Sequence, residues 1–210
     1  CTNPADRHAP LPFERYCLSS LRRDQLDPAR VPRHSIGEVS RLAILQHFRR
    51  RLTDLNNARL IALNALEAES GAAPIKPSRI VDAFFGTALR MAADVEGGGH
   101  TFMRLLGRTY TEPNEFVRKF LAEEYAECVE RFLAALYLSL PDVERNEILW
   151  RFHFMMGAMS YAIAGTDALQ LVTGKFDDEN PSRLAPRLMS FLLGGLRAPL
   201  ADFGPQQQVK

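Results

Sequence analysis

From Arg41 to Glu69 the chain contains neither proline nor glycine, and Leu42, Leu45, Phe48, Leu52, Leu55, Leu60, Leu63 and Leu66 recur mostly three or four residues apart. That spacing gathers them on one side of an α-helix. At about 1.5 Å per residue such a helix extends roughly 40 Å, long enough to connect two domains. A rod of this kind buries its apolar stripe only against other elements, so the rest of the chain must supply them.

The remaining segments also read as helices. Residues 1–12 hold Pro4, Pro10 and Pro12 among polar residues and form an extended lead-in, and Pro28 and Pro32 allow only short elements between 13 and 40. After a break at Gly71 to Pro77, Ile80, Phe84, Leu89 and Met91 mark one helix, and Gly97 to Gly99 introduce another from His100 to Tyr110. Pro113 is expected in the first turn of a second long helix carrying Phe116, Phe120, Leu121, Tyr125, Val129, Phe132 and Leu136. Asp142 is a candidate cap for the next, whose Ile148, Phe152, Met155, Met156, Met159 and Ile163 form a continuous stripe. Asn180 and Pro181 open a last helix with Leu184, Leu188, Phe191, Leu192 and Gly195 on one face, and 202–210 is a tail. No stretch alternates apolar and polar residues, so the fold class is all-α.

The hydrophobic fraction of 46% in 210 residues is enough for a packed core without disulfides or metals. Cys1, Cys17 and Cys128 are odd in number and widely spaced, which fits a reducing cytoplasm. No apolar run reaches the length of a membrane span, so no membrane partner is expected. The net charge of +1 hides an asymmetry: residues 1–52 carry ten arginines against five acidic residues, +5, and the remainder 16 basic against 20 acidic, −4. A basic arm on an acidic body suits phosphate contacts, and a merely solvated arm is the alternative. No phosphate-loop, nucleophile-elbow or zinc-protease motif occurs, and no histidine has an acidic residue three positions before it. An enzyme, a cofactor and a metal are therefore not expected. His153 is read as a core or interface histidine, and the glycines before His100 as a hinge or a weak anion-binding turn.

Several stretches together resemble the TetR family of dimeric transcriptional regulators. Asp94-Val-Glu-Gly-Gly-Gly-His-Thr-Phe-Met-Arg-Leu-Leu-Gly-Arg108, followed by Glu112-Pro113, is similar to the C-terminal domain of a subgroup that includes fatty-acid-responsive regulators. Arg131 to Leu140, Trp150 to Ala164 and Phe191-Leu-Leu-Gly-Gly-Leu-Arg-Ala-Pro199 resemble the same subgroup, and Phe48 to Asn56 resembles the connector after the DNA-binding domain. Ser20-Leu21-Arg22-Arg23 and Val31 to Gly37 resemble parts of the family's helix-turn-helix. Asp24, Gln25 and Pro28 replace its apolar helix, and Arg30 stands where its turn glycine is expected.

The resemblance implies a helix-turn-helix-like region over 13–48 and an effector-binding and dimerisation domain over 49–201. It implies a repressor that binds a double-stranded DNA operator as a homodimer. Arg33, His34 and Ser35 would then contact bases or phosphates, with Arg22, Arg23 and Arg41 as phosphate anchors. A degenerate motif without specific readout is the alternative. Phe84, Phe85, Met91, Phe102, Met103, Leu106, Phe120, Tyr125, Trp150 and Phe154 would line a pocket for a small apolar effector such as an acyl chain, ordinary core packing being the competing reading. Met155, Met156, Met159, Leu188, Phe191, Leu192 and Gly195 are expected at the dimer interface, with burial inside one subunit as the alternative.

Overall fold

The computed structural model describes residues 33–165, 168–174 and 183–200, with side chains from Ala43 onward and not those of 166–170. Helix α1 spans Arg33–Ser70 and α2 Pro77–Val81. A π-helical turn, Asp82–Gly86, leads into α3, Thr87–Ala93. Then come α4, Gly99–Thr109, α5, Glu115–Ser139, and α6, Arg145–Ile163. A short α7, Ala168–Thr173, and α8, Leu184–Arg197, complete the order, and no strand occurs among the described residues. No helix among them is long and apolar enough to cross a membrane.

Helix α1 starts at Arg33, upstream of the expected Arg41. Gly37 is the one glycine inside it, and an interior glycine costs only about 0.5–1 kcal/mol, too little to end a helix that no proline interrupts. Two other boundaries move. Pro113 lies before α5 and not in its first turn, because Asn114 is the cap: its side-chain oxygen accepts from the backbone N–H of Phe116 at 3.0 Å and of Val117 at 3.3 Å. Asp142 falls in the turn before α6, which opens at Glu144 without a side-chain cap. Asn180 and Pro181 lie outside the described residues, and α8 opens at Leu184.

Helix α5 lies against α1, α6 packs between α4, α5 and α8, and α2 and the π turn touch both α1 and α8. The core they enclose centres on aromatic rings. Phe84 meets Phe85, Phe132 and Phe152 at centroid distances of 4.9, 5.0 and 5.0 Å, each edge to face, the favourable arrangement for ring quadrupoles. Helix α4 crosses α6 where Gly107 sits, since a Cβ there would stand 2.8 Å from the Ser160 carbonyl oxygen. The Ser160 hydroxyl donates to the Gly107 carbonyl at 2.8 Å and fixes that crossing. At the entry to α4, Gly98 adopts φ +72°, and a Cβ on Gly99 would collide with the Met91 carbonyl. The glycine run thus makes a tight turn.

Candidate functional site

Arg22 and Arg23 lie outside the described residues, and of Arg33, His34, Ser35 and Arg41 the structure gives the backbone, all within α1. Two of the three arginines that follow, Arg49 and Arg51, are tied to the body. Arg49 meets Glu124 of α5 at 2.6 Å, and Arg51 donates to the Gly97 carbonyl at 3.2 Å with its guanidinium 5.8 Å from the Phe102 ring. Arg50 lies 3.0 Å from the His47 ring, whose pKa burial lowers, with the charges of Arg50 and Arg51 adding to the effect. A neutral ring accepts from Arg50, so the pair is compatible with that shift. Farther along α1, Arg131 of α5 reaches Asn64 at 2.9 Å and Glu67 at 2.8 Å. The connector is thereby laced to α5 over most of its length.

The residues expected around a pocket separate into two groups. Phe84, Phe85, Phe102, Met103, Leu106 and Tyr125 are buried and packed into the core, with Met91 and Phe120 half-buried against it. Trp150 and Phe154 do not join them; they are 59% and 63% exposed. The core stripe of α6 runs through Ile148, Phe152, Met155, Met159 and Ile163, and a position two residues away points roughly 200° around the helix.

At the centre lies a residue that the apolar pattern hides. Arg59 occupies a stripe position of α1, four residues after Leu55 and four before Leu63, and it is fully buried. Its Nε donates to the Phe84 carbonyl at 3.0 Å and its Nη1 to the Asn56 side-chain oxygen at 3.1 Å. The guanidinium lies 3.8 Å from the Phe84 ring centroid and 5.6 Å from that of Tyr125. The first bond has a local cause. Within the π turn the Thr87 N–H bonds to Asp82, five residues back, and the Ala83 carbonyl accepts from the Thr87 hydroxyl at 2.7 Å. Arg59 satisfies the neighbouring Phe84 carbonyl, so it helps hold an irregular helix whose rings build the core. Asn56 in turn donates to the Glu124 backbone carbonyl at 2.8 Å. A basic residue in register with Leu52, Leu55 and Leu63 was the signal available in the sequence.

Arg59 Nη2 has no hydrogen-bond partner. Near the guanidinium the Tyr110 and Tyr125 hydroxyls bond to each other. Burial pushes the Tyr110 hydroxyl well above its ordinary pKa, the Tyr125 hydroxyl adds to this, and the charge of Arg59 and its hydrogen bonding to Tyr110 oppose it. Burial likewise lifts the Cys128 thiol to about 11, against the pull of Arg59 and with help from Glu127. Tyr125 also borders a groove of about 570 Å³ on α5, lined with it by Ala122, Ala126, Val129, Glu130, Leu133, Ala134 and Tyr137.

The expected interface residues divide as well. Met155, Met159, Leu188 and Leu192 are buried in the chain's own core, where α6 meets α8, and so correct the expectation that they face a partner. Met156 is half-buried against that core, while Phe191 and Gly195 face outward. With them on the outside are Trp150, Phe154 and Tyr161 of α6. Trp150 and Phe154 stack at 5.7 Å, and His153 packs edge-on against Trp150 at 5.9 Å. A Cβ on Gly157, Gly194 or Gly195 would meet nothing within 4 Å. A side chain at these glycines would point into open space, so their lack of one keeps the outer face low.

The groups assembled here are a buried cation, phenols and apolar surface. Among the described residues no cluster of three histidines, cysteines or carboxylates stands ready for a metal. A family model described as Tetracyclin repressor-like, C-terminal domain, matches residues 82–195, from the π turn into α8. A search of curated proteins returns no match.

Proposed function

The chain belongs to the TetR family of transcriptional regulators, a regulatory and non-enzymatic family, and on that premise we propose that it is a homodimeric repressor whose hold on operator DNA is set by a small, largely apolar effector. The observation that carries the dimer is the outer face of α6 and α8. Trp150, Phe154, Tyr161 and Phe191 are each more than half exposed there, interleaved with glycines that let another helix approach closely. Large aromatic surface left in water costs roughly 25 cal/mol per Å², and a second copy meeting it about a two-fold axis removes that cost for both subunits at once. Residues 13–48 read the DNA in this proposal and 49–201 bind effector and partner. The boundary between them falls inside α1, whose ties to α5 through Arg49, Asn56 and Arg131 carry a change in the body to the DNA-proximal end. Effector binding favours one of two dimer geometries, and its differential affinity sets the response.

Light scattering of the purified chain is expected to give the mass of two subunits. A gel shift with the gene's own upstream region, repeated across salt concentrations, is expected to show binding that weakens steeply with salt. A monomeric mass defeats the dimer, and no shift at low salt defeats the operator. A second reading, a dimeric ligand-binding protein without DNA readout, is favoured by Pro28 and Arg30 in the helix-turn-helix region; a dimer that binds effector and shifts no DNA would establish it.

A further inference from the structure

Arg59 does more than the fold requires. Bracing the Phe84 carbonyl occupies Nε, and Asn56 takes Nη1. Both acceptors are neutral, as are the Phe84 and Tyr125 rings beside the guanidinium, so no carboxylate among the described residues balances the charge. Arginine does not escape burial by losing its proton, and an unpaired charge held away from water is strongly disfavoured. Nη2 is buried and has no partner at ordinary hydrogen-bond distance and angle. The hydroxyls of Tyr110 and Tyr125 stand at the same place, and because they bond to each other one of their two hydrogens is left to donate. A guanidinium and a phenol O–H, with no anion of their own, form the donor set of a carboxylate site.

Tyr125 belongs both to this cluster and to the groove along α5, whose other linings are mainly alanine, valine, leucine and Tyr137. Its single carboxylate, Glu130, is exposed to solvent. We propose that groove and cluster are two ends of one site for a small amphipathic carboxylate: the apolar body lies along α5, and the carboxylate enters beside Tyr125 to accept from Arg59 Nη2 and a tyrosine hydroxyl. This rests on effector control as the function of the body, and it adds that the effector is an anion and that its charge is read by α1. Because Arg59 is on the connector and Tyr125 on α5, the carboxylate bonds across the contact through which α1 follows the body.

The test is calorimetric binding of decanoate and of decan-1-ol to the full chain. Decanoate is expected to bind at least about tenfold more tightly, the scale of one charge-assisted hydrogen bond. Arg59→Gln, with its fold checked by circular dichroism, is expected to erase the preference and leave decan-1-ol binding in place. If Arg59→Gln does not fold, the double substitution Tyr110→Phe with Tyr125→Phe keeps both rings and removes the phenol donor, and is expected to shrink the preference severalfold. Equal affinity of the two probes, binding of neither, or a preference that survives both variants would overturn the site. Gel shifts on the same preparations separate this from the regulatory reading. DNA binding with no decanoate preference sinks only the carboxylate site, and a decanoate preference without a DNA shift sinks only the operator.

Discussion

Helix α6 has two apolar faces with opposite fates. Ile148, Phe152, Met155, Met159 and Ile163 are all buried between α4, α5 and α8, whereas Trp150, Phe154 and Tyr161, on the same helix, are left more than half exposed. Residue type does not separate the two sets, since each carries large apolar side chains. What separates them is the neighbour. The inner stripe meets helices of its own chain, and Gly107 and Ser160 lock one of those contacts; the outer stripe keeps more than half of its surface exposed. An apolar stripe in the sequence therefore does not say whether its own chain covers it.

The comparison is open to experiment. The largest effect is expected for Phe152→Ala, which should lower the unfolding free energy in urea by about 3–5 kcal/mol, while Phe154→Ala should stay within about 0.5 kcal/mol at concentrations where the chain is monomeric. Equal losses would erase the distinction between the faces. Next, the double substitution Phe154→Arg with Phe191→Arg should weaken self-association by about 2 kcal/mol or more in sedimentation equilibrium and leave the circular dichroism unchanged. Association at undiminished strength would move the interface elsewhere.

Glycines sharpen the contrast on a smaller scale. In that monomeric background Gly107→Ala should cost about 1–3 kcal/mol, because its Cβ meets α6 backbone, and Gly157→Ala should gain about 0.5–1 kcal/mol, because its Cβ meets nothing. A further effect is confined to alkaline pH. The Cys128 thiol is raised from near 9 to about 11 in the folded chain, so the stability it contributes is fully present below pH 9 and lost as pH rises through about 11. A thiol-specific disulfide reagent at pH 8, read out by peptide mapping, should leave Cys128 unmodified until denaturant is added, and rapid reaction of that thiol in the native chain would show that the interior beside Arg59 is open.

Most helices were legible before any coordinates. The stretch from Arg41 to Glu69 is helical, and Phe48, Leu52, Leu55 and Leu63 lie on its buried side as the spacing required. Legibility failed where a side chain replaced a backbone rule. The π turn at Asp82–Gly86 leaves no mark in a three-or-four repeat, because Thr87 and Arg59 satisfy the carbonyls it frees. Arg59 is invisible to an apolar count, which passes over a basic residue even in stripe register. Trp150 and Phe154 fit either face of a mostly apolar helix, so their types do not tell inward from outward.

The long stretch from Arg41 to Glu69 that most constrained the fold also shows where sequence stops. Periodicity, capping residues and the absence of alternation determined an all-α chain built on one long connector, because backbone hydrogen bonding and side-chain spacing act within a few residues. Which apolar stripe becomes core, and that Arg59 sits in it with one nitrogen unused, was decided only when α5 closed over α1. Burial and its electrostatic cost depend on segments distant in sequence, and no local pattern records them.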